Sequence, residues 1–310
     1  AYQGSLTSTF VNRNTYAAYA GLSLIVILAL MAPKMSDSLR LGLFSRAGFL
    51  HFLDSVRLPL YFLMVAFVVV TTALLFSRSR GGLLVALFGI TVFLAFSAAP
   101  RRKRRGGTIL GLGLALLVAV YVLVSFSGDA TLARFADLAA SGTGRAEVHA
   151  LSAQAIAERP LVGTGLGTFA ETFQQYRDDT FGVLTLAYQK AHSTYLELAL
   201  EGGLPAFAAM MVLFAGLTGL CLRGVIVRRQ DKVYPAVGLG ATALVAAHSA
   251  VDFSVQIPGF ALTYLMLMGI ACAQSWPTGA GGAGTHMRAR SGGSRRRSGA
   301  GARARRAAPD

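Results

Sequence analysis

The 310-residue chain is 54% hydrophobic and only 14% charged, with a formal net charge of +15. A soluble domain of this size would have a charged fraction of about 25%, and the apolar residues here form runs close to the ~20 residues that cross a bilayer. This composition excludes a water-soluble enzyme. It predicts an all-α, polytopic membrane protein, because helices satisfy their own backbone hydrogen bonds in lipid.

Seven apolar runs are predicted to span the membrane as helices. They are residues 16–32, 58–76, 82–99, 108–126, 203–227, 235–251 and 259–276. With seven spans, most of the 29 basic residues fall on one side, including RRKRR at 101–105 and RRQDK at 228–232. The positive-inside rule assigns that side to the cytoplasm. Residue 1 then lies on the outer side. A missing N-terminal set of helices explains this position more simply than a native external N-terminus without a signal peptide.

The last residues, 277–310, consist mostly of Gly, Ala, Ser and Arg. They offer too little apolar surface to fold, so we expect a disordered, basic cytoplasmic tail. A nucleic-acid arm is one interpretation, but a positive-inside tail near anionic lipid explains the charge better. We therefore expect membrane lipid, and no nucleic acid, as a partner.

Residues 128–191 form a long predicted outer loop, with helix-like stretches separated by turn signals. A long loop on one face of a bundle is where a binding or catalytic site is usually built. Its GTGLGT string has the look of a phosphate-binding loop. However, it does not follow a strand, so we expect a turn between two loop helices.

Three predicted outer segments carry residues of chemical interest. The connection SRSRGG places Arg80 at the membrane edge, on the face where positive residues are disfavoured. Arg145 opens a predicted amphipathic helix in the outer loop. His192, in AYQKAHSTYLELALEGG, precedes a helix-like run, where it or Ser193 serves as the cap.

Two arginines and one histidine on the same face suit a specific reaction. Arginine can hold the negative charge that develops on a diphosphate leaving group, and histidine can take a proton from an attacking hydroxyl at physiological pH. The one carboxylate pair on this face, Asp178 and Asp179, is interpreted as solvating the loop rather than binding a catalytic metal, and the two cysteines lack metal-ligand spacing. We therefore expect a metal-independent reaction with no cofactor.

Four stretches of this sequence, in order, resemble the O-antigen ligase/polymerase superfamily. They are GSLTSTFVNRNTYAAY (4–19), SRGG (79–82), the string from Arg145 through RPLVGTGLGTF to AHSTYLELALEGGLPA (145–206), and AHSAVDFSVQIPG (247–259). Together they extend over most of residues 1–275. The chain departs from the family pattern at Ser193, where an asparagine is usual, and near His149, where an aromatic residue is often found.

The resemblance implies a donor glycan on undecaprenyl diphosphate and an acceptor hydroxyl on a saccharide, lipid or protein. It also implies that two arginines bind the diphosphate and that a histidine activates the acceptor. By motif, these are Arg80, Arg145 and His192. Weaker candidates for donor binding or for shaping the site are Arg13, Asn14, Tyr195 and Glu201.

One further pair lies near the outer end of the sixth span. His248 and Asp252 are compatible with an ion relay, but their i, i+4 spacing favours a buried structural pair.

The sequence thus predicts a multi-pass glycosyltransferase of the bacterial inner membrane with a periplasmic active face, most similar to O-antigen ligases. Alternatives within the family are an O-antigen or exopolysaccharide polymerase and a protein O-oligosaccharyltransferase. An alternative of a different class is a transporter of lipid-linked sugars, which would require charged or broken helices near the membrane midplane.

Overall fold

In the computed structural model, residues 6–41, 46, 58–97, 148–176, 189–228 and 230–276 are described, and their regular secondary structure is entirely helical. This confirms the predicted all-α helical bundle. The helices are α1 (Arg13–Leu41), α2 (Leu58–Phe76), α3 (Arg80–Ser97), α4 (148–158), α5 (Phe169–Gln175), α6 (Thr194–Val227), α7 (Val233–Ser249), a 3-10 turn (Ser254–Gln256) and α8 (Pro258–Ala273). The predicted span 108–126, Arg145 and the tail 277–310 lie outside the described residues.

Four of these helices are long and apolar enough to cross a membrane: α1 over Arg13–Pro33, α2, α3 and α6. Two shorter apolar helices, α7 and α8, have 17 and 16 residues. On α2, Phe62 and Val68 are 61% and 62% exposed. Apolar exposure of this kind along a whole helix fits contact with lipid rather than with water.

Helix α7 is the centre of the bundle and packs against α1, α3, α6 and α8. Its contact with α3 depends on two glycines. A Cβ on Gly240 would lie 2.8 Å from the carbonyl oxygen of Gly89, and one on Gly89 would lie 2.8 Å from that of Gly240. Small residues at such crossings let helix backbones approach closely, which favours packing between helices in lipid.

Polar contacts gather several chain segments at one end of the bundle, which we call the site end (residues 12–15, 79–80, 192–194 and 252–254). There Thr15 Oγ1 lies 3.0 Å from Ser254 Oγ, and Thr194 Oγ1 donates to the carbonyl oxygen of Asp252 at 3.1 Å. The N-termini of α1, α3 and α6 therefore meet the C-terminus of α7. Parts of all four stretches that resemble the family thus lie together.

At the end of the bundle away from the site end, one buried arginine joins the C-terminal ends of α6 and α8. Arg228, which follows α6, donates through Nη1 to the carbonyl oxygens of Gln274 and Trp276 at 2.7 and 2.9 Å. Asp231 Oδ2 lies 3.7 Å from Arg228 Nη2. The guanidinium thereby supplies donors to carbonyls beyond the last turn of α8.

Candidate functional site

Asp252 is the centre of the polar network at the site end. It follows α7 and is only 1% exposed. Its carboxylate accepts from Asn14 Nδ2 at 2.7 Å and from the Phe253 backbone N–H at 2.8 Å, with Asn12 Nδ2 at 3.4 Å. Burial alone would raise the pKa of Asp252. The His192 imidazole, the Phe253 N–H and the Asn14 amide outweigh burial, so the pKa lies below its ordinary value.

His192 lies against this carboxylate, with its Nδ1 3.7 Å from Asp252 Oδ1. Its ring packs on Phe253 at 5.4 Å between centroids, and its side chain is 28% exposed. The backbone of His192 has a φ of 50°, a strained conformation for a residue with a side chain, and such strain is concentrated at functional sites. Ser193, rather than His192, is the N-cap of α6 and accepts from the Leu196 N–H.

A second branch of the network reaches α3. Ser79 Oγ donates to Asn14 Oδ1 at 2.8 Å, and Asn14 in turn donates to Asp252. The contacts run Ser79–Asn14–Asp252–His192, linking α3, α1, α7 and α6. Arg80 is the first residue of α3 and follows Ser79 directly, so the structure brings Arg80 and His192 to the same end of the bundle.

The other predicted diphosphate ligand, Arg145, is outside the described residues, so its contact with Arg80 or His192 stays a prediction. Among the weaker candidates, Arg13 is the first residue of α1 and is partly buried. Asn14 holds the central position between Ser79 and Asp252.

The remaining two candidates, Tyr195 and Glu201, have structural partners. The Tyr195 hydroxyl donates to the carbonyl oxygen of Ala246 at 2.8 Å, which ties the start of α6 to α7. Glu201 Oε1 accepts from the Phe169 N–H at 3.2 Å, at the first residue of α5. Glu201 therefore holds the described part of the predicted outer loop (148–176), which we call the outer segment, against α6.

Helix α6 is broken at Gly203, where φ is 75° and ψ is 167°. In a regular helix the Leu204 N–H would donate to the Leu200 carbonyl, and the residue at 205 would donate to the Glu201 carbonyl. Here Gly203 turns Leu204 away, and Pro205 has no N–H to give. Both carbonyls therefore need partners from elsewhere in the chain.

The turn that contains GTGLGT supplies these partners. The Thr164 N–H donates to the Leu200 carbonyl and the Gly165 N–H to the Glu201 carbonyl, both at 2.9 Å. The turn lies between α4 and α5, as the sequence predicts, but it also completes the backbone hydrogen bonding of a broken helix.

The exchange is reciprocal and depends on close backbone approach. The displaced Leu204 N–H donates to the Pro160 carbonyl at 2.7 Å. Gly163 has a φ of 64°, and a Cβ there would lie 2.5 Å from the Glu201 carbonyl oxygen. Only glycine fits this position without a shift of the chain.

A cavity of about 650 Å³ lies between α6, α7 and α8. Its inner wall is largely apolar and includes Met210, Met211, Phe214 and Leu265. This volume lies within the range of sites that enclose small ligands, roughly 300–1,000 Å³.

The mouth of the cavity, at the site end, is polar. It is lined by Lys190, Thr194, Glu197 and Glu201. Glu197 is only 2% exposed; it contacts Lys190 Nζ at 2.6 Å and accepts from the Ala191 N–H at 3.2 Å. These two donors stabilise a carboxylate that burial would otherwise disfavour.

The sequence analysis missed the contacts of two residues at this end of the bundle. It interpreted Asp252 as part of a buried structural pair with His248, and both residues are buried. The Asp252 carboxylate, however, also faces His192 and Asn14, which are distant in sequence. The sequence did indicate Asp252 in one way, because the residue lies in a stretch that resembles the family's last outer turn. The sequence analysis assigned no role to Glu197, whose signal was a carboxylate in the first turn of a largely apolar helix.

One known protein family matches part of this chain. Residues 65–211 match the family model described as O-antigen ligase. The matched stretch begins within α2 and ends within α6, and it contains the positions Arg80, Arg145, His192 and Glu201. No curated protein matches the chain. The match covers slightly less than half of the chain, over which this multi-pass membrane protein is similar to O-antigen ligases, and it supports a function of the general O-antigen ligase/polymerase type.

Proposed function

We propose that the protein transfers a glycan from an undecaprenyl-diphosphate donor to an acceptor hydroxyl, as O-antigen ligases do, at the periplasmic face of the bacterial inner membrane. The observation that carries the proposal is the chain of contacts Ser79–Asn14–Asp252–His192. It links the helix that begins with Arg80 to a histidine backed by a buried carboxylate, within a family whose members act on lipid-linked glycans.

In this reaction His192 is the base. Asp252 lies on the Nδ1 side of the imidazole, which favours the tautomer with the proton on Nδ1, so Nε2 takes the proton of the acceptor hydroxyl. The acceptor oxygen forms a bond to the anomeric carbon while the bond from that carbon to the diphosphate oxygen breaks. This direct displacement inverts the anomeric configuration. Asp252 stabilises the imidazolium that forms, and the 3.7 Å separation permits tightening when substrate binds.

Arg80 and Arg145 bind the leaving diphosphate and stabilise the negative charge that develops on it. Guanidinium groups bind phosphate oxygens in bidentate fashion and remain charged throughout. Arg13, next to Asn14 at the start of α1, is a further candidate for donor binding. The reaction needs no metal in this mechanism, and that remains a prediction.

Two alternatives within the family use the same chemistry: a polymerase, which transfers to another lipid-linked glycan, and a protein O-oligosaccharyltransferase. The transporter alternative requires interrupted helices near the midplane. The break at Gly203 lies in the first third of α6 and is bonded to the outer segment. The break therefore supports the enzyme more than a transport pathway.

The test is glycan transfer by the purified protein in nanodiscs, with undecaprenyl-diphosphate-linked glycan as the donor. His192→Ala should reduce turnover about 10²–10⁴-fold, and Arg80→Ala and Arg145→Ala about 10²–10³-fold each. Arg223→Ala, which removes a cation that stacks on Trp276, is the matched control and should retain activity. Normal turnover in all three site variants would refute the proposal.

A further inference from the structure

We propose that the cavity between α6, α7 and α8 is the acceptor site. Its occupant is a membrane amphiphile. The headgroup of this amphiphile carries the reacting hydroxyl and has no phosphate next to it. This inference rests on the proposed function and assigns a chemical class to the acceptor.

The cavity has the form of a site for a lipid chain. Met210 and Leu265 line it and are still 37% and 49% exposed, so the cavity opens sideways toward the bilayer. Its largely apolar lining on α6 beyond the break extends from Met210 to Thr218, which is roughly 12 Å at 1.5 Å per residue. A free saccharide would leave this apolar length unoccupied, whereas an alkyl or isoprenoid chain would bury against it.

The charge of the mouth distinguishes between possible headgroups. Two carboxylates, Glu197 and Glu201, line the mouth together with one ammonium, Lys190, which is paired with Glu197. The net charge of these described lining residues is therefore negative, which repels a diphosphate. Carboxylate oxygens accept hydrogen bonds from sugar hydroxyls, and the hydroxyl of Thr194 also lies at the mouth.

The position of the cavity also fits the acceptor rather than the donor. Its lining residues come from α6, α7, α8, the turn after α7 and residues 167 and 190, whereas Arg80 and Asn14 belong to α3 and α1, which contribute none of the described lining residues. Direct displacement with inversion requires the attacking hydroxyl and the leaving diphosphate on opposite faces of the sugar carbon. An acceptor in the cavity would present its headgroup beside Thr194, two residues from His192.

The experiment uses a dodecyl maltoside that carries a diazirine on its alkyl chain, with the whole protein in nanodiscs. After photolysis, peptide mapping should find the label on the cavity segments 210–218 and 261–265. Excess unlabelled dodecyl maltoside should abolish this labelling. Dodecyl phosphate or undecaprenyl diphosphate at the same concentration should compete at least about tenfold more weakly, because their phosphates face the carboxylates of the mouth.

A matched pair of variants locates the site. Ala215 lines the cavity, and Ala209 lies on the same helix outside it. Ala215→Phe should reduce labelling about tenfold by filling the cavity, and Ala209→Phe should leave it unchanged. Thermal unfolding of both variants checks the fold, and the competition experiment on the wild-type protein needs no variant.

Three outcomes would overturn the inference. The first is label outside the cavity segments, and the second is competition by dodecyl phosphate as strong as that by dodecyl maltoside. The third is competition by undecaprenyl diphosphate as strong as that by dodecyl maltoside, which would make the cavity the site of the donor chain. Because labelling requires no turnover, its failure is distinct from failure of the proposed function. Failure of the proposed function would instead appear as unimpaired glycan transfer by the His192, Arg80 and Arg145 variants.

Discussion

Replacing Asp252 with asparagine tests the central contact of the candidate site. The carboxylate accepts from Phe253 N–H through Oδ1 and from Asn14 Nδ2 through Oδ2. An amide has only one acceptor oxygen, so its NH₂ group must face one of these donors. One buried donor left without an acceptor costs about 1–3 kcal/mol of stability. The imidazolium of His192 also loses its counter-charge, so we expect turnover to fall about 10²–10⁴-fold.

The assay separates these two effects. Initial rates of glycan transfer at varied donor concentration give kcat and KM, and thermal unfolding in nanodiscs gives the loss of stability. Because the proposed mechanism gives Asp252 no contact with either substrate, kcat should fall while the donor KM changes little. Asp231→Asn, at an exposed carboxylate near Arg228, is the control and should change neither quantity. An Asp252→Asn protein that folds and retains at least half of the wild-type kcat would refute the role given to Asp252.

Two further predictions concern the break in α6 and the ionisation of Asp252. Gly203→Ala should destabilise the protein by about 2–4 kcal/mol, because the φ of 75° is unfavourable for alanine and the new Cβ would lie 2.6 Å from the Leu161 carbonyl oxygen. Gly216→Ala, at a position with open space around it, is the control. Equal unfolding midpoints for the two variants would contradict the prediction. Since the pKa of Asp252 in the folded protein lies below the ordinary 3.8, the stability contributed by its ionised form is complete above that value and is lost as pH falls through the folded pKa. The difference in Tm between wild type and Asp252→Asn should therefore narrow below about pH 4, and a difference that stays the same from about pH 5 down to about pH 3 would show that the ionised Asp252 is not responsible.

The sequence predicted the helical membrane architecture because apolar runs of bilayer length have one stable form in lipid. It also singled out Arg80 and His192, since an arginine in a short outer connection and a histidine before an apolar helix conflict with their surroundings. The structure brings both residues to one end of the bundle, whereas Arg145 lies outside the described residues.

Contacts between distant segments could not be predicted in the same way. Asp252 meets Asn14 across 238 positions, and no periodicity in either segment indicates that pairing. The function of the GTGLGT turn was hidden for a related reason. Its glycines signal a turn, but the need for backbone donors at Leu200 and Glu201 arises only once Gly203 and Pro205 have broken α6.

The shared hydrogen bonds between residues 160–165 and the broken turn of α6 have a consequence for engineering. The outer segment and the first third of α6 behave as one structural unit, since either part alone would leave buried carbonyls and N–H groups without partners. A chimera that exchanges the outer segment between two relatives should therefore fold only if the exchange extends past Pro205. A boundary placed just before His192 would separate the two halves of the unit.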